Sequence, residues 1–243
     1  MRPKTVEIKI TLAGPRIDDV VDQLRLPGPE PWTVVFGEDV TGAAATTALL
    51  DLGVVLRIRG KSATTGDTTV KLRPSRWSQL DPDYFESRKT DDADLKIEAD
   101  WAGDKHSLAT SMTIDWADSR LSAAQADSAL VPDLFSKTQQ DFLATCATGR
   151  VNLAAVSLLP PIAATRYAKF TPTGTALELR AERWQVDPTL DFLELSVIAK
   201  PKDAAATQES LTAFATSLSL PLDNNPLNKT QRVLNHLIAT VPI

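Results

Sequence analysis

Polar and apolar residues alternate strictly along residues 5–12, with Thr5, Glu7, Lys9 and Thr11 on one parity and Val6, Ile8, Ile10 and Leu12 on the other. A period of two places the two sets on opposite faces of a β-strand. The pattern returns at 54–61, where Arg57, Arg59 and Lys61 oppose Leu56 and Ile58, and at 69–73, where Lys71 and Arg73 oppose Val70 and Leu72. Residues 62–67 are predicted to be the hairpin connection between these two strands. Lys96, Glu98 and Asp100 alternate with Leu95, Ile97 and Ala99, and after a Gly103-Asp104 turn residues 107–115 can pair back. Further strands are predicted at 32–36, 166–171, 176–185 and 192–199, the last two setting Glu178, Arg180 and Glu182, then Glu194 and Ser196, at alternate positions.

Helical spacing appears between these strand groups. Val20, Val21 and Leu24 give a helix over 18–26 that Pro27-Gly28-Pro29 must stop. A small-residue loop over 37–47 leads into a short apolar turn over 48–52 that Gly53 ends. Residues 120–149 form a helical insertion, with Ser136 as N-cap of a helix over 137–148 and Phe135 as a staple residue. Two more helices are expected at 204–218 and 228–238, separated by the breaker run 221–226. The fold class this predicts is α+β: one domain over 1–243, built on a mostly antiparallel, closed or nearly closed β-barrel with helices packed outside.

A sheet solvated on one face also alternates, so charge alternation alone is a bland signal. Here two neighbouring strands each crowd two cations onto one face, and such crowding repels without a counterion. A multiply charged anion relieves it: arginine offers planar donors for phosphate oxygens, and lysine a compact charge. Triphosphate is the economical candidate. Carboxylates on the same face, Glu7, Glu98, Glu182 and Glu194, supply the oxygen ligands that Mg²⁺ or Mn²⁺ takes beside substrate phosphates.

These residues resemble the CYTH superfamily, the triphosphate tunnel metalloenzymes, whose first strand carries a Glu-x-Glu-x-Lys signature. Thr5-Val6-Glu7-Ile8-Lys9 matches it with one substitution. The resemblance continues in order through Leu52-Gly53-Val54-Val55-Leu56-Arg57-Ile58-Arg59, Thr69-Val70-Lys71-Leu72-Arg73-Pro74, Lys96-Ile97-Glu98-Ala99-Asp100, Leu134-Phe135-Ser136-Lys137 and Leu193-Glu194-Leu195-Ser196, covering nearly the whole chain. It implies that Lys9, Arg57, Arg59, Lys71, Arg73 and Arg166 hold phosphate, with Lys9, Arg57 and Arg59 at the chemistry. It also implies that Glu7, Glu98, Glu182 and Glu194 hold the divalent metal. Thr5 in place of the first signature glutamate, and Ser196 in place of a second acid in the last strand, put a two-metal site and catalysis in doubt. The implied activity is hydrolysis of inorganic, organic or nucleoside triphosphate; the alternatives are a non-catalytic polyphosphate or polyanion binder and an adenylyl cyclase.

Composition narrows the rest. The net charge of −5 over 243 residues gives no general attraction for nucleic acid, so an anion site must be local. One cysteine, Cys146, rules out an internal disulfide framework and fits a reducing compartment. No run approaches the roughly 20 apolar residues of a membrane span, and a cytoplasmic protein without membrane partners is the expectation; the sequence does not give the oligomeric state. Gly60-Lys61-Ser62 lacks the earlier glycine of a P-loop. His106 and His236 have no neighbouring ligand spacing, and Cys146 reads as core. Trp77, Trp101, Trp116 and Trp184 read as packing residues, with Trp184 as the one that could stand near a tunnel mouth.

Overall fold

The computed structural model describes residues 3–240 except 15, 42–46, 91, 224 and 226. Residues 42–46 of the small-residue loop, Asp91 and two positions of the breaker run, Asn224 and Pro226, therefore lie outside the described residues. In chain order come β1 (Val6–Ala13), α1 (Ile17–Leu24), β2 (Glu30–Glu38), the single turn α2 (Ala48–Asp51), β3 (Val54–Gly60) and β4 (Gly66–Leu72). Then follow the two-residue β5 (Arg88–Lys89), β6 (Asp94–Ala102), β7 (Lys105–Trp116), α3 (Arg120–Ala126) and α4 (Lys137–Cys146). Last are the two-residue β8 (Ser157–Leu158), β9 (Ile162–Phe170), β10 (Leu179–Asp187), β11 (Leu190–Ala199), α5 (Ala204–Ser217) and α6 (Lys229–Thr240).

Nine strands form a ring in the order β1-β11-β10-β9-β2-β3-β4-β7-β6, and β6 returns to β1. Every junction is antiparallel except this last one, where Val6 to Lys9 run parallel to Ala99 to Ala102. β5 and β8 add short rungs to β6 and β2. The barrel is thus closed, as the alternation predicts, and closure leaves the ring no free edge.

Several boundaries differ from their expectations: β2 runs on through Gly37 and Glu38, β9 begins at Ile162, and β10 begins at Leu179 and so leaves Glu178 outside the strand. β4 begins at Gly66, not Thr69, so Asp67 is a strand residue opposite Arg59 and not part of a turn. Gly-Asp reads as turn chemistry in sequence, but here the glycine makes room for its neighbours: a Cβ at Gly66 would stand 2.0 Å from the Arg59 carbonyl oxygen and 2.3 Å from the Trp116 ring.

The outer face of the ring is covered by helices. α1 and α5 bury Val20, Leu211 and Phe214 against Ile8, Leu12, Leu193 and Leu195 of β1 and β11. α4 brings Phe142 and Leu143 onto Leu56, Ile58, Val70 and Met112 of β3, β4 and β7. Ser136 caps α4 in a reciprocal capping box with Gln139. The buried Gln139 amide also donates to the carbonyls of Thr68 (3.0 Å) and Met112 (3.1 Å), which locks the helix to two barrel strands. Among the described residues no helix is long and apolar enough to cross a membrane.

α6 is placed differently. Its Val233, Leu234, Leu237 and Ile238 join Trp32, Val34, Phe36, Trp184 and Phe192 in a third cluster. By register those five barrel residues share the face of Arg59, Arg57, Glu182 and Glu194, which is the inner one. The helix therefore fills one end of the barrel from within, and the inner face is apolar at that end and charged beyond it.

Gln139→Leu is expected to lower stability by about 2–3 kcal/mol, because two buried carbonyls lose their donors. Urea unfolding checks this, and ligand binding should be unchanged.

Candidate functional site

Register carries the charged residues into the lumen. Glu7 of β1 lies beside Asp100 of β6, Lys9 beside Ser196 of β11, and Thr11 beside Glu194. Glu194 faces Glu182 of β10, and Glu182 faces Arg166 of β9. Across β3 and β4, Arg57 lies opposite Thr69, Arg59 opposite Asp67, and Val55 opposite Lys71. Gly53, at φ +73°, turns the chain after α2, and its carbonyl accepts from the Arg73 N–H at 2.8 Å, which sets Arg73 at the end of β4.

Asp100 organises the first group. Its carboxylate accepts from Lys9 Nζ at 3.0 Å, from Lys71 Nζ at 3.2 Å, and from Arg73 in a close ion pair. Burial alone would raise its pKa, but Lys9, Lys71 and Arg73 hold the carboxyl far below the usual carboxylate range. Glu7 sits 2.7 Å from Lys9 Nζ. Burial opposes the Lys9 charge, yet Glu7 and Asp100 hold the ammonium above its ordinary range. Lys71 has no such surplus: burial and the neighbouring Arg73 push it down to about 8. Its protonation therefore works against folding, and that penalty is relieved as pH rises from about 8 towards the unfolded value.

Arg59 and Arg57 form the second group. Arg59 makes a two-pronged bond to the buried Asp67, Nε to Oδ1 at 2.9 Å and Nη2 to Oδ2 at 2.9 Å, and lies 4.6 Å above the Trp32 ring. Arg166 lies over the same ring at 5.3 Å. Arg57 is different. It donates to Thr69 Oγ1 at 3.2 Å, and among the described residues no carboxylate comes within ion-pair distance of it. Burial and Arg59 push its pKa down to about 10. Its Nε is buried without an acceptor, and so are Arg73 Nε, Trp32 Nε1 and Trp184 Nε1, all belonging to side chains of the inner face.

The third group contains a residue that the sequence did not single out. Lys229, the first residue of α6, donates to Glu182 at 2.6 Å and to Glu194 at 2.9 Å and lies 4.6 Å above the Trp184 ring. Burial works against ionisation of Glu182, but Lys229 holds it down to about 2. Farther along the helix Arg232 pairs with Asp223, and His236 pairs with Asp187.

The six cations expected at a phosphate site all lie on the inner face, in two groups joined across β3 and β4. The four expected metal carboxylates are separated: Glu7 is held by Lys9, Glu182 and Glu194 by Lys229, and Glu98 joins no ion pair among the described residues. No set of three or more His, Cys, Asp or Glu side chains is arranged to hold a metal ion among the described residues. At Glu182 and Glu194 the place between the two carboxylates is taken by the Lys229 ammonium. Asp100, Asp67 and Lys229 were missed. Parity already put Asp100 on the inner face, Asp67 lay in a stretch read as turn, and Lys229 carried only the i, i+3, i+7 polar spacing of Lys229, Arg232 and His236. Trp184 does lie by the charged lumen, packed against Phe36 and Phe192.

No protein-family model and no curated protein matches the chain. Solved structures do match its fold. A candidate adenylyl cyclase from Hippeastrum, described as having a dominant triphosphatase activity, superposes with TM-score 0.60 at 12% identity, over 96% of this chain and 96% of that one. A candidate adenylate cyclase from Bacillus halodurans superposes with TM-score 0.58 at 13% identity, over 94% of this chain and 98% of that one. The chain shares the closed-barrel fold of these two proteins.

Asp100→Asn should lower stability by about 3–5 kcal/mol, since losing one partner strands the buried charges it held. Because the folded-state pKa of Asp100 is depressed, its contribution is present above about pH 4 and is lost as pH falls. Unfolding free energies measured across acid pH should therefore fall less steeply in the variant.

Proposed function

We propose that the tunnel binds a triphosphate-containing anion, with Arg57 at the centre of the cradle and Lys9, Arg59, Lys71, Arg73 and Arg166 around it. The observation that carries this reading is Arg57, a guanidinium on the inner face with no ion-pair partner among the described residues and with a buried Nε that has no acceptor. Buried donors normally find partners, and an unpaired charge away from bulk water is costly. Arg73 Nε and the two indole N–H groups add further unmet donors on the same face. A linear phosphate chain presents acceptor oxygens along its length and would meet several of them at once. Lys71 is suited to such a ligand, because an anion beside it favours the protonated form that burial and Arg73 disfavour.

Hydrolysis of the terminal phosphate is the second reading. The triphosphatase activity described for the Hippeastrum protein of the same fold favours it. In that case the cations that bind the anion would also spread charge on the transferring phosphoryl group, and Mg²⁺ or Mn²⁺ remains the cofactor to test. Phosphate release from tripolyphosphate and from nucleoside triphosphates, with each metal and with EDTA, separates the two readings, and cyclic AMP formation from ATP tests the cyclase alternative.

Two outcomes are expected for binding. Arg57→Ala should weaken tripolyphosphate binding at least about tenfold, since hydrogen bonds to charged groups contribute about 1.5–3 kcal/mol; calorimetry reads the loss, and no change would defeat the reading. Tripolyphosphate affinity should also fall as pH rises through about 8, where free Lys71 loses its proton. Titration at several pH values should show that Lys71→Arg flattens this fall, because arginine stays charged.

A further inference from the structure

We propose that Lys229 takes the place of a divalent cation between Glu182 and Glu194, so that this end of the tunnel is neutralised by the chain itself and accepts an anion without metal. The inference rests on the anion-tunnel reading for its consequence, while the cation site stands on three side chains.

Glu182 and Glu194 are direct cross-strand partners on β10 and β11, and like charges so placed repel unless a cation lies between them. Lys229 Nζ is that cation, at 2.6 and 2.9 Å. It is held there by more than its charge. Its ammonium lies over the Trp184 ring, and the helix it begins buries Val233, Leu234, Leu237 and Ile238 in the barrel end. Arg232 to Asp223 and His236 to Asp187 fix the same helix at two further points.

A metal ion at these carboxylates would meet two obstacles. The ammonium occupies the position between them. The cations Arg57 and Arg59 also act on Glu182 from across the lumen, so an added dication would be repelled.

The test uses the full chain and two variants, Lys229→Ala and Lys229→Met, the second keeping an unbranched stem against Trp184. Mn²⁺ is titrated in the absence of phosphate and free ion is read by electron paramagnetic resonance, with circular dichroism confirming that each protein is folded. The unsubstituted chain is expected to take up no stoichiometric Mn²⁺. At least one folded variant should gain a single site at least about tenfold tighter, and adding Glu194→Gln should abolish it. Stoichiometric Mn²⁺ uptake by the unsubstituted chain, or no gain in either folded variant, would overturn the inference. Tripolyphosphate binding to the unsubstituted chain should be the same with EDTA as with Mn²⁺. If Mn²⁺ uptake appears in the variants but tripolyphosphate never binds, the cation substitution stands and the anion reading fails.

Discussion

Closing a sheet into a ring confines every second side chain of nine strands in one narrow space, and charges gathered there must largely neutralise one another. In water, two charges 4 Å apart interact by only about 1 kcal/mol, whereas the same pair inside a protein interacts several times more strongly. The lumen obeys this constraint almost everywhere. Asp100 answers Lys9, Lys71 and Arg73, Asp67 answers Arg59, and Lys229 answers Glu182 and Glu194. The parallel pairing of β1 with β6 is what makes the first of these groups possible, because it sets Glu7 and Lys9 beside the strand that carries Asp100. The neutralisation is incomplete at Arg57 and Lys71, where burial and neighbouring cations work against the charge.

The apolar part of the inner face serves the same end by another route. Trp32, Val34, Phe36, Trp184 and Phe192 could not be left lining a wet channel, and α6 covers them. Full burial of each aliphatic side chain of that helix contributes about 1.5–3 kcal/mol, and the same helix sets Lys229 between Glu182 and Glu194.

Much of this was legible in the sequence, because a period of two is a local property. Residues 5–12, 54–61 and 95–100 each announced which side chains share a face, and the crowding of Arg57 with Arg59 and of Lys71 with Arg73 pointed to an anion. Asp100 was visible on the right parity, but parity does not say which carboxylate will meet which cation across a closed ring. Asp67 was hidden because Gly66-Asp67 has turn chemistry, and the close approach of the Arg59 carbonyl and the Trp116 ring to Gly66 is a long-range contact that the sequence does not display. Lys229 was the least visible. Its role depends on a helix entering the barrel from the far end of the chain, and a helix that packs inside carries the same amphipathic pattern as one that packs outside. The strand expected at 32–36 likewise does not show that Trp32 and Phe36 form a core within the ring.

The position of Lys229 also bears on why Arg57 stays unpaired. Glu182 lies within the electrostatic reach of Arg57 and Arg59 as well as of Lys229, and the ammonium is the partner it contacts. Without Lys229, two facing carboxylates would turn to the nearest cations, and Arg57, with no ion pair of its own, is the one most open to them. By engaging both carboxylates at once, the helix keeps the tunnel's own acids from occupying the donors that an incoming anion would use. The charge that seats α6 is then also the charge that holds Glu182 and Glu194.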